Sequence, residues 1–405
     1  MAGAPLGNGA FGPELRISHV GNFLTLGNGF DHHNHGAVKA WRGHLPLLTL
    51  HAPPVLLATS RGIEGSEQMI HTGKLQTGLT VVAALFMSAG IAGAEPLKVR
   101  SAYIIPGTNI MSIFNAKAGV TKHHGKSYVM DAVRFQGTPL MITALAVGEI
   151  DVALLGFSSL SLGVENAGMT DLRVFADEFR DGVKGFSSNE YMVRADSGIQ
   201  KVSDLKGKVL ATNAVGSAVD IAMRGILRKA GLEDKRDYTV VESGLNTMKS
   251  LLLEKKVDLV VAVPPFLFDP ELRKNAKVLF TQRDAMGPSE LGIWAAKDGF
   301  LKKNRAAVID MMEDTMRVTR WLRDPKNHDE AVKIVSDFAK APPALYADWL
   351  FTEKDYYRDP ELKLDIPAFQ SNLDVQRDLG FFKSKIDVKK YVDTSYIEEA
   401  RKRLQ

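Results

Sequence analysis

From residue 97 onward the chain alternates two textures. Short apolar runs, bounded by glycine, proline and polar residues, give way to stretches with apolar residues at helical spacing. That alternation predicts an α/β fold. Strands are expected over 97–105, 129–135 and 150–155, and the last is almost continuously apolar, as suits a strand covered on both faces. Between the second and third, Gly137-Thr138-Pro139 opens a helix running to Val147. Thr138 reads as its N-cap, Pro139 as the first helical position and Gly148 as its stop.

The block returns about one hundred residues later. Gly137-Thr138-Pro139-Leu140-Met141 to Ile150-Asp151-Val152-Ala153-Leu154 matches Gly244-Leu245-Asn246-Thr247-Met248 to Val257-Asp258-Leu259-Val260-Val261, with Leu145 and Leu252 in register. Two copies at this spacing imply two similar lobes, each with its own parallel sheet, and not a solenoid. The strand-like passages 186–194 and 291–296 read as crossings between them. Lobe one is expected over 95–189 and 292–405, lobe two over 190–291. Past Lys302 the chain turns helical, and the stripe Val308, Met311, Met312, Met316 and Trp321 over 306–322 reads as helix packing.

Composition narrows the chemistry. At 405 residues, 45% hydrophobic, the chain can bury a large core. It has no cysteine, which excludes disulfides, thiolate metal sites and a cysteine nucleophile. A net charge of +4 from 51 basic and 47 acidic residues is too even to suggest nucleic acid or a membrane surface as partner. No Gly-x-Ser-x-Gly elbow, Walker A loop or Gly-x-Gly-x-x-Gly turn appears, so no catalytic residue and no cofactor is expected. His32-His33-Asn34-His35 lies among Gly, Asn and Pro without periodicity and does not read as a metal site. His123-His124 reads as an exposed loop.

Residues 69–94 have the form of a bacterial signal peptide. His71 and Lys74 precede the apolar run 79–87, and Ala92-Gly93-Ala94 supplies an A-x-A cleavage pattern. The run is short for a membrane helix, which needs about 20 apolar residues. The working protein is therefore expected to start near Glu95 and to act outside the cytoplasm. Residues 1–68 read as a mis-assigned or disordered extension before a start at Met69, or else as an unusual pro-segment.

In open α/β sheets, ligands sit beyond the carboxyl ends of strands. Four segments fit that place: Tyr103 to Asn109 with Thr108; Gly156-Phe157-Ser158-Ser159; Asn213 to Ser217 with Gly216; and the segment with Pro264. The second and third present N–H groups and serine hydroxyls at helix starts, where an anion is held without a cationic side chain. Facing each other from two lobes, they would clamp one small oxyanion. Tyr103, Phe157, Phe266 and Trp294 would wall its organic part, although core packing accounts for each equally well.

These segments resemble the periplasmic solute-binding proteins of ABC importers, of the aliphatic sulfonate, taurine and nitrate type. The resemblance spans nearly all of 95–405. It rests on Leu97-Lys98-Val99-Arg100, Phe135-Gln136-Gly137, the run Gly148-Glu149-Ile150-Asp151-Val152-Ala153, Ser203-Asp204-Leu205-Lys206-Gly207-Lys208, Gly216-Ser217, Val257-Asp258 and Pro264-Pro265. It implies a periplasmic-binding-protein-like fold of two α/β lobes joined by a two-strand hinge, closing on ligand. It also implies an oxyanion held by Gly156, Phe157, Ser158 and Ser159 from lobe one and by Asn213, Gly216 and Ser217 from lobe two. The implied partners are a small anionic solute and a membrane permease, with the protein a monomer in the periplasm. The chain departs from the family in lacking a helix and glycine-aromatic turn over 114–127, and in carrying Ala218-Val219-Asp220 where further polar residues are usual. Enzymes share the fold: desulfinase relatives need a cysteine, and thiamine-pyrimidine synthase relatives a cysteine-rich motif. An enzyme of the menaquinone-pathway or pyrimidine-synthase kind is the alternative, and a sensor-linked binding protein a third reading.

Overall fold

The structure, a computed structural model, describes residues 95–405 apart from 111–113, 115 and 118. The expected signal peptide and the segment before it lie outside the described residues.

Ten strands form two sheets. They are β1 Leu97–Tyr103, β2 Tyr128–Arg134, β3 Val152–Leu155, β4 Leu172–Asp181, β5 Glu190–Arg194, β6 Lys208–Thr212, β7 Tyr238–Glu242, β8 Leu259–Ala262, β9 Ala276–Thr281 and β10 Ser289–Lys297. One sheet has the order β2-β1-β3-β10-β4 and the other β7-β6-β8-β5-β9. In each, the first three strands run parallel and the last two pair antiparallel. The sheets are therefore copies in strand order and direction. The repeated block falls on equivalent pieces: helix α1 (Thr138–Val147) with β3 in one lobe, and a short 3-10 turn, helix α4 (Met248–Leu253) and β8 in the other. Both β3 and β8 are buried along their whole length, as continuous apolar runs predict.

The two connections lie at 182–189 and 282–288. Ser289 already pairs with Asp181 in the first sheet, so the second crossing comes before the expected boundary at residue 291. The C-terminal part belongs mainly to the first lobe. There α5 (Arg305–Arg323) buries Val308, Met311, Met312 and Met316 against the sheet, while Trp321 is only partly covered. Helix α6 (Ile366–Asp378) and the residues just after it return to touch α3 (Ala218–Lys229) of the second lobe: Arg228 donates to the Asp378 carbonyl, and the Arg224 guanidinium lies 5.8 Å from the Phe381 ring.

The loop carrying His123 and His124 is held, not free. Asp314 of α5 accepts the N–H groups of Lys122, His123 and His124 at 2.7, 3.0 and 2.9 Å, and the Tyr128 hydroxyl at 3.0 Å. The His124 ring packs edge-on against Tyr128, and its Nε2 accepts from the Met130 N–H. Four donors to one carboxylate replace the exposed loop expected from the polar sequence.

Candidate functional site

The lobes are closed on one another. The Thr108 hydroxyl donates to the Pro264 carbonyl at 3.3 Å, and the Asn213 amide donates to the Gln136 carbonyl at 3.3 Å. Phe268 stacks on Trp349 with centroids 5.4 Å apart and planes within 17°. Between them lies a cavity of about 80 Å³. Lobe one contributes strand ends (Ile104, Ile105, Leu154, Gly156), Thr108, Asn109 and Thr138. Lobe two contributes Asn213, Ser217, Ala218, Val219, Leu245 and Val263. Phe179, Leu291 and Gly292 from β4 and β10 join them, with Asn189 at a crossing and Tyr356 from the C-terminal part.

The wall near the crossings is aromatic. Phe179 stacks on Tyr356 with centroids 4.8 Å apart. Its ring lies across Gly292, its pairing partner on β10, where a Cβ would come within 2.5 Å of it. Only glycine admits the ring there.

Seven polar side chains line the cavity, and six are spent on the protein itself. Asn109 Oδ1 accepts the N–H groups of Ile104 and Ile105, and its Nδ2 donates to Glu178 at 2.9 Å. Asn189 accepts from the Tyr356 hydroxyl and donates to Gln282. Ser217 donates to Asn213 Oδ1 at 2.8 Å and accepts from the Asp220 N–H, and Asn213 and Thr108 are engaged across the lobes. Thr138 differs. It is buried, and its Oγ1 has no hydrogen-bond partner among the described residues. The N-cap of α1 is Gly137, in extended backbone with no side-chain cap, so Thr138 is the first helical residue and not the cap. Its hydroxyl stands free beside a helix start whose remaining first-turn N–H groups, those of Thr138 and Leu140 (Pro139 has none), lack intrahelical acceptors. On the facing lobe, Ala218 and Val219 open α3 at the cavity edge.

No lining residue carries a formal charge. Charges lie one layer behind. Glu178 accepts Asn109 Nδ2 and the Ile110 N–H, and burial raises its carboxyl to about 7 although the Arg358 guanidinium pulls the other way. Asp220 accepts the Gly216 N–H at 2.9 Å and the Arg224 Nε at 2.9 Å. Burial raises its pKa, with Arg224 opposing. Glu242 accepts the Val215 N–H.

Of the residues expected to meet the ligand, the cavity brings together Thr108, Asn109, Gly156, Asn213 and Ser217. Eight other expected residues do not line it. Phe157, Ser158 and Ser159 are wholly buried and do not line the cavity, although the Ser158 and Ser159 hydroxyls, like that of Thr138, have no hydrogen-bond partner among the described residues; the helix they open spans only Ser158–Ser161 (α2). The Phe157 N–H is taken by the Glu290 carbonyl. The Gly216 N–H is taken by Asp220. Pro264 contributes its carbonyl to Thr108, closing the lobes and leaving it no place in the lining. Tyr103 and Trp294 pack into the other core of lobe one, against Phe338 and Phe175. Phe266 lines an open groove beside Phe135 and Gln136. Sequence reasoning missed Thr138, Phe179, Asn189, Gly292 and Tyr356. The signal for Thr138 was present, since a threonine just before Pro139 opens a helix either as cap or as first residue.

A second cluster joins His123, Asp310 and Glu313. Two guanidinium groups occupy it: Arg403 donates to Asp310 at 2.7 Å, and Arg317 to Glu313 at 2.7 Å. It is an ion-pair network whose negative charge is already balanced.

Comparison with known proteins fits this geometry. The profile of the NMT1-like family matches residues 92–336. A Bacillus subtilis (strain 168) protein named for binding aliphatic sulfonates is 26% identical over 272 residues, covering 66% of this chain and 77% of its own. The alkanesulfonate-binding protein SsuA from Xanthomonas axonopodis pv. citri, bound to MOPS, is similar with a TM-score of 0.59 at 20% identity, over 74% of this chain and 99% of that one. The periplasmic nitrate-binding protein NrtA from Synechocystis PCC 6803 gives 0.61 at 14% identity, over 77% and 90%. The fold is thus the periplasmic-binding-protein fold, and it also carries an enzyme: the desulfurization enzyme DSZB scores 0.55 at 12% identity, over 76% and 100%.

Proposed function

The chain belongs to the NMT1-like family, and from that premise we propose that it is the solute-binding component of an ABC import system, capturing a small anion between its lobes. The observation that carries the reading is the Thr138 hydroxyl, buried and unpartnered where it lines the inter-lobe cleft. Beside it the start of α1 has no side-chain cap, which favours an anion there without a cationic side chain, while α3 across the cleft is capped by its own Ser217. Names of relatives support the solute class: an organic sulfonate first, with nitrate or an organic acid also admitted. Work of this kind is binding and closure, with no bond made or broken. It takes place in the periplasm, after cleavage near Ala94, and the trapped solute is handed by a monomer to a membrane permease.

A thermal-shift panel of ethanesulfonate, propionate, taurine and nitrate against chloride tests the reading. At a hundredfold excess over Kd, a native-state ligand stabilises by about 2.7 kcal/mol. That raises Tm by several degrees in a chain of this size. No shift with any member of the panel would remove anion capture.

A further inference from the structure

The cleft opens outward into a second cavity. Ile104, Ile105 and Leu245 line both the cleft and an adjoining groove of about 480 Å³. Both lobes build that groove: Arg134, Phe135 and Gln136 come from lobe one, and Gly244 to Thr247 with Phe266 from lobe two. We propose that the groove is an outer subsite for the solute held in the cleft, in which Arg134 binds a carboxylate at the solute's far end. The solute is then an elongated molecule with an oxyanion at each end and an apolar middle. This rests on the anion reading given above and adds a second point of recognition to it.

The distribution of charge carries the argument. No residue of the cleft lining is charged, and Arg134 is the one charged residue in the groove lining among the described residues. Its Nε donates to the Ile104 carbonyl at 3.3 Å, which ties the guanidinium to the strand end bordering the cleft. Its two terminal nitrogens have no protein acceptor among the described residues. By contrast Arg273, Arg317 and Arg403 are each held by a carboxylate, at 2.6, 2.7 and 2.7 Å. A guanidinium fixed at Nε and open at both terminal nitrogens can take a carboxylate through two parallel bonds with little further loss of freedom.

The path between the two ends is apolar. Ile104, Ile105 and Leu245 form the junction, and the half-buried rings of Phe135 and Phe266 stand on the groove's two sides, one from each lobe. They offer contact to an alkyl or aryl middle. The lobes meet at this place, where the Asn213 amide donates to the Gln136 carbonyl. A solute that fills the groove therefore touches both lobes and favours the closed arrangement over an open one.

Calorimetry with matched pairs tests this. Benzenesulfonate and 4-sulfobenzoate differ by one carboxylate, as do propanesulfonate and 4-sulfobutyrate. In at least one pair the carboxylated member should bind at least about tenfold more tightly, as a hydrogen bond to a charged group allows. Arg134→Gln should abolish that gain and leave the plain sulfonate within about twofold, and Arg134→Lys should restore part of the gain. Arg134 is exposed, so the ligand-free variants should melt with the unaltered chain. No gain from the carboxylate in either pair, or a gain that survives Arg134→Gln, overturns the inference and leaves anion capture in place. An equal loss for both members in Arg134→Gln overturns it too, because Arg134 would then act on the sulfonate or by overall charge. If none of the four binds, the anion reading itself fails for sulfonates and the inference falls with it.

Discussion

The start of α1 in lobe one and the start of α3 in lobe two face the same cavity, but they are finished differently. At α3 the chain supplies its own anions and cap: Ser217 accepts from the Asp220 N–H, Asp220 from the Gly216 N–H, and Glu242 from the Val215 N–H. At α1 there is no side-chain cap, and the first helical hydroxyl is unpartnered. One lobe has already satisfied much of its positive helix end, and the other has left it for something else. In the trap proposed above, lobe one would supply more of the oxyanion contacts and lobe two would close over it. The sequence pointed to the turns at Ser158 and Ser217 and read Thr138 as a cap, whereas Ser217 caps α3 and the Thr138 hydroxyl lines the cleft without a partner.

The largest expected effect breaks the comparison on the lobe-two side. Asp220→Ala removes a buried carboxylate held by Arg224 and by the Gly216 N–H. Breaking one member of a buried pair costs 3–5 kcal/mol in general. Arg224 keeps Asp234 at 2.7 Å, so a loss of about 3 kcal/mol in urea unfolding is expected. A loss below about 1 kcal/mol would mean that the lobe-two carboxylate is not integral to the turn.

Acidity sharpens the contrast next. Asp181, at the first crossing, accepts the Ser188 hydroxyl and the Asn189 N–H, and burial raises it to about 7. Glu178 is raised to about 7 by the same cause. An unfolded carboxyl titrates near about 4. Between those values the folded chain keeps protons that the unfolded chain has lost, so unfolding free energy falls as pH rises from about 4 to about 7. Each group adds a slope of up to about 1.4 kcal/mol per pH unit. Urea titrations across that range should show the Asp181→Asn variant with the shallower decline. An unchanged slope would show that Asp181 is ionised throughout.

The smallest effects discriminate between the two helix starts. Ser217→Ala removes an N-cap and should cost about 1 kcal/mol of stability. Ser158→Ala removes a buried hydroxyl without a partner and should leave both stability and ligand affinity nearly unchanged. A large loss of affinity in Ser158→Ala would return the site to the turn expected from sequence.

Much of the fold was legible because continuous apolar runs leave little choice. Residues 150–155 read as a buried strand, and β3 is buried at every position. The repeated glycine, leucine and aspartate positions marked equivalent helix-strand units, and the two sheets share one topology. The site was less legible. Ser, Thr and Asn at strand ends have the same local preference whether they hold a ligand or a neighbour, and the choice depends on residues far away in the chain. Asn109 is spent on Glu178, 69 residues on, and Thr108 on Pro264, 156 residues on. Tyr356 reaches the cavity from a segment with no periodicity and no sequence mark. The aromatics Tyr103 and Trp294 sat at plausible strand positions, but alternation turned them to the other face of the sheet.

The central claim is that the Thr138 hydroxyl binds the anion. Calorimetry of ethanesulfonate binding to the unaltered chain and to Thr138→Val tests it most directly, because valine keeps the shape and removes only the donor. The account predicts affinity weakened about tenfold, equivalent to about 1.4 kcal/mol, with the melting temperature of the ligand-free protein held or raised. Equal affinity in the two proteins would contradict it.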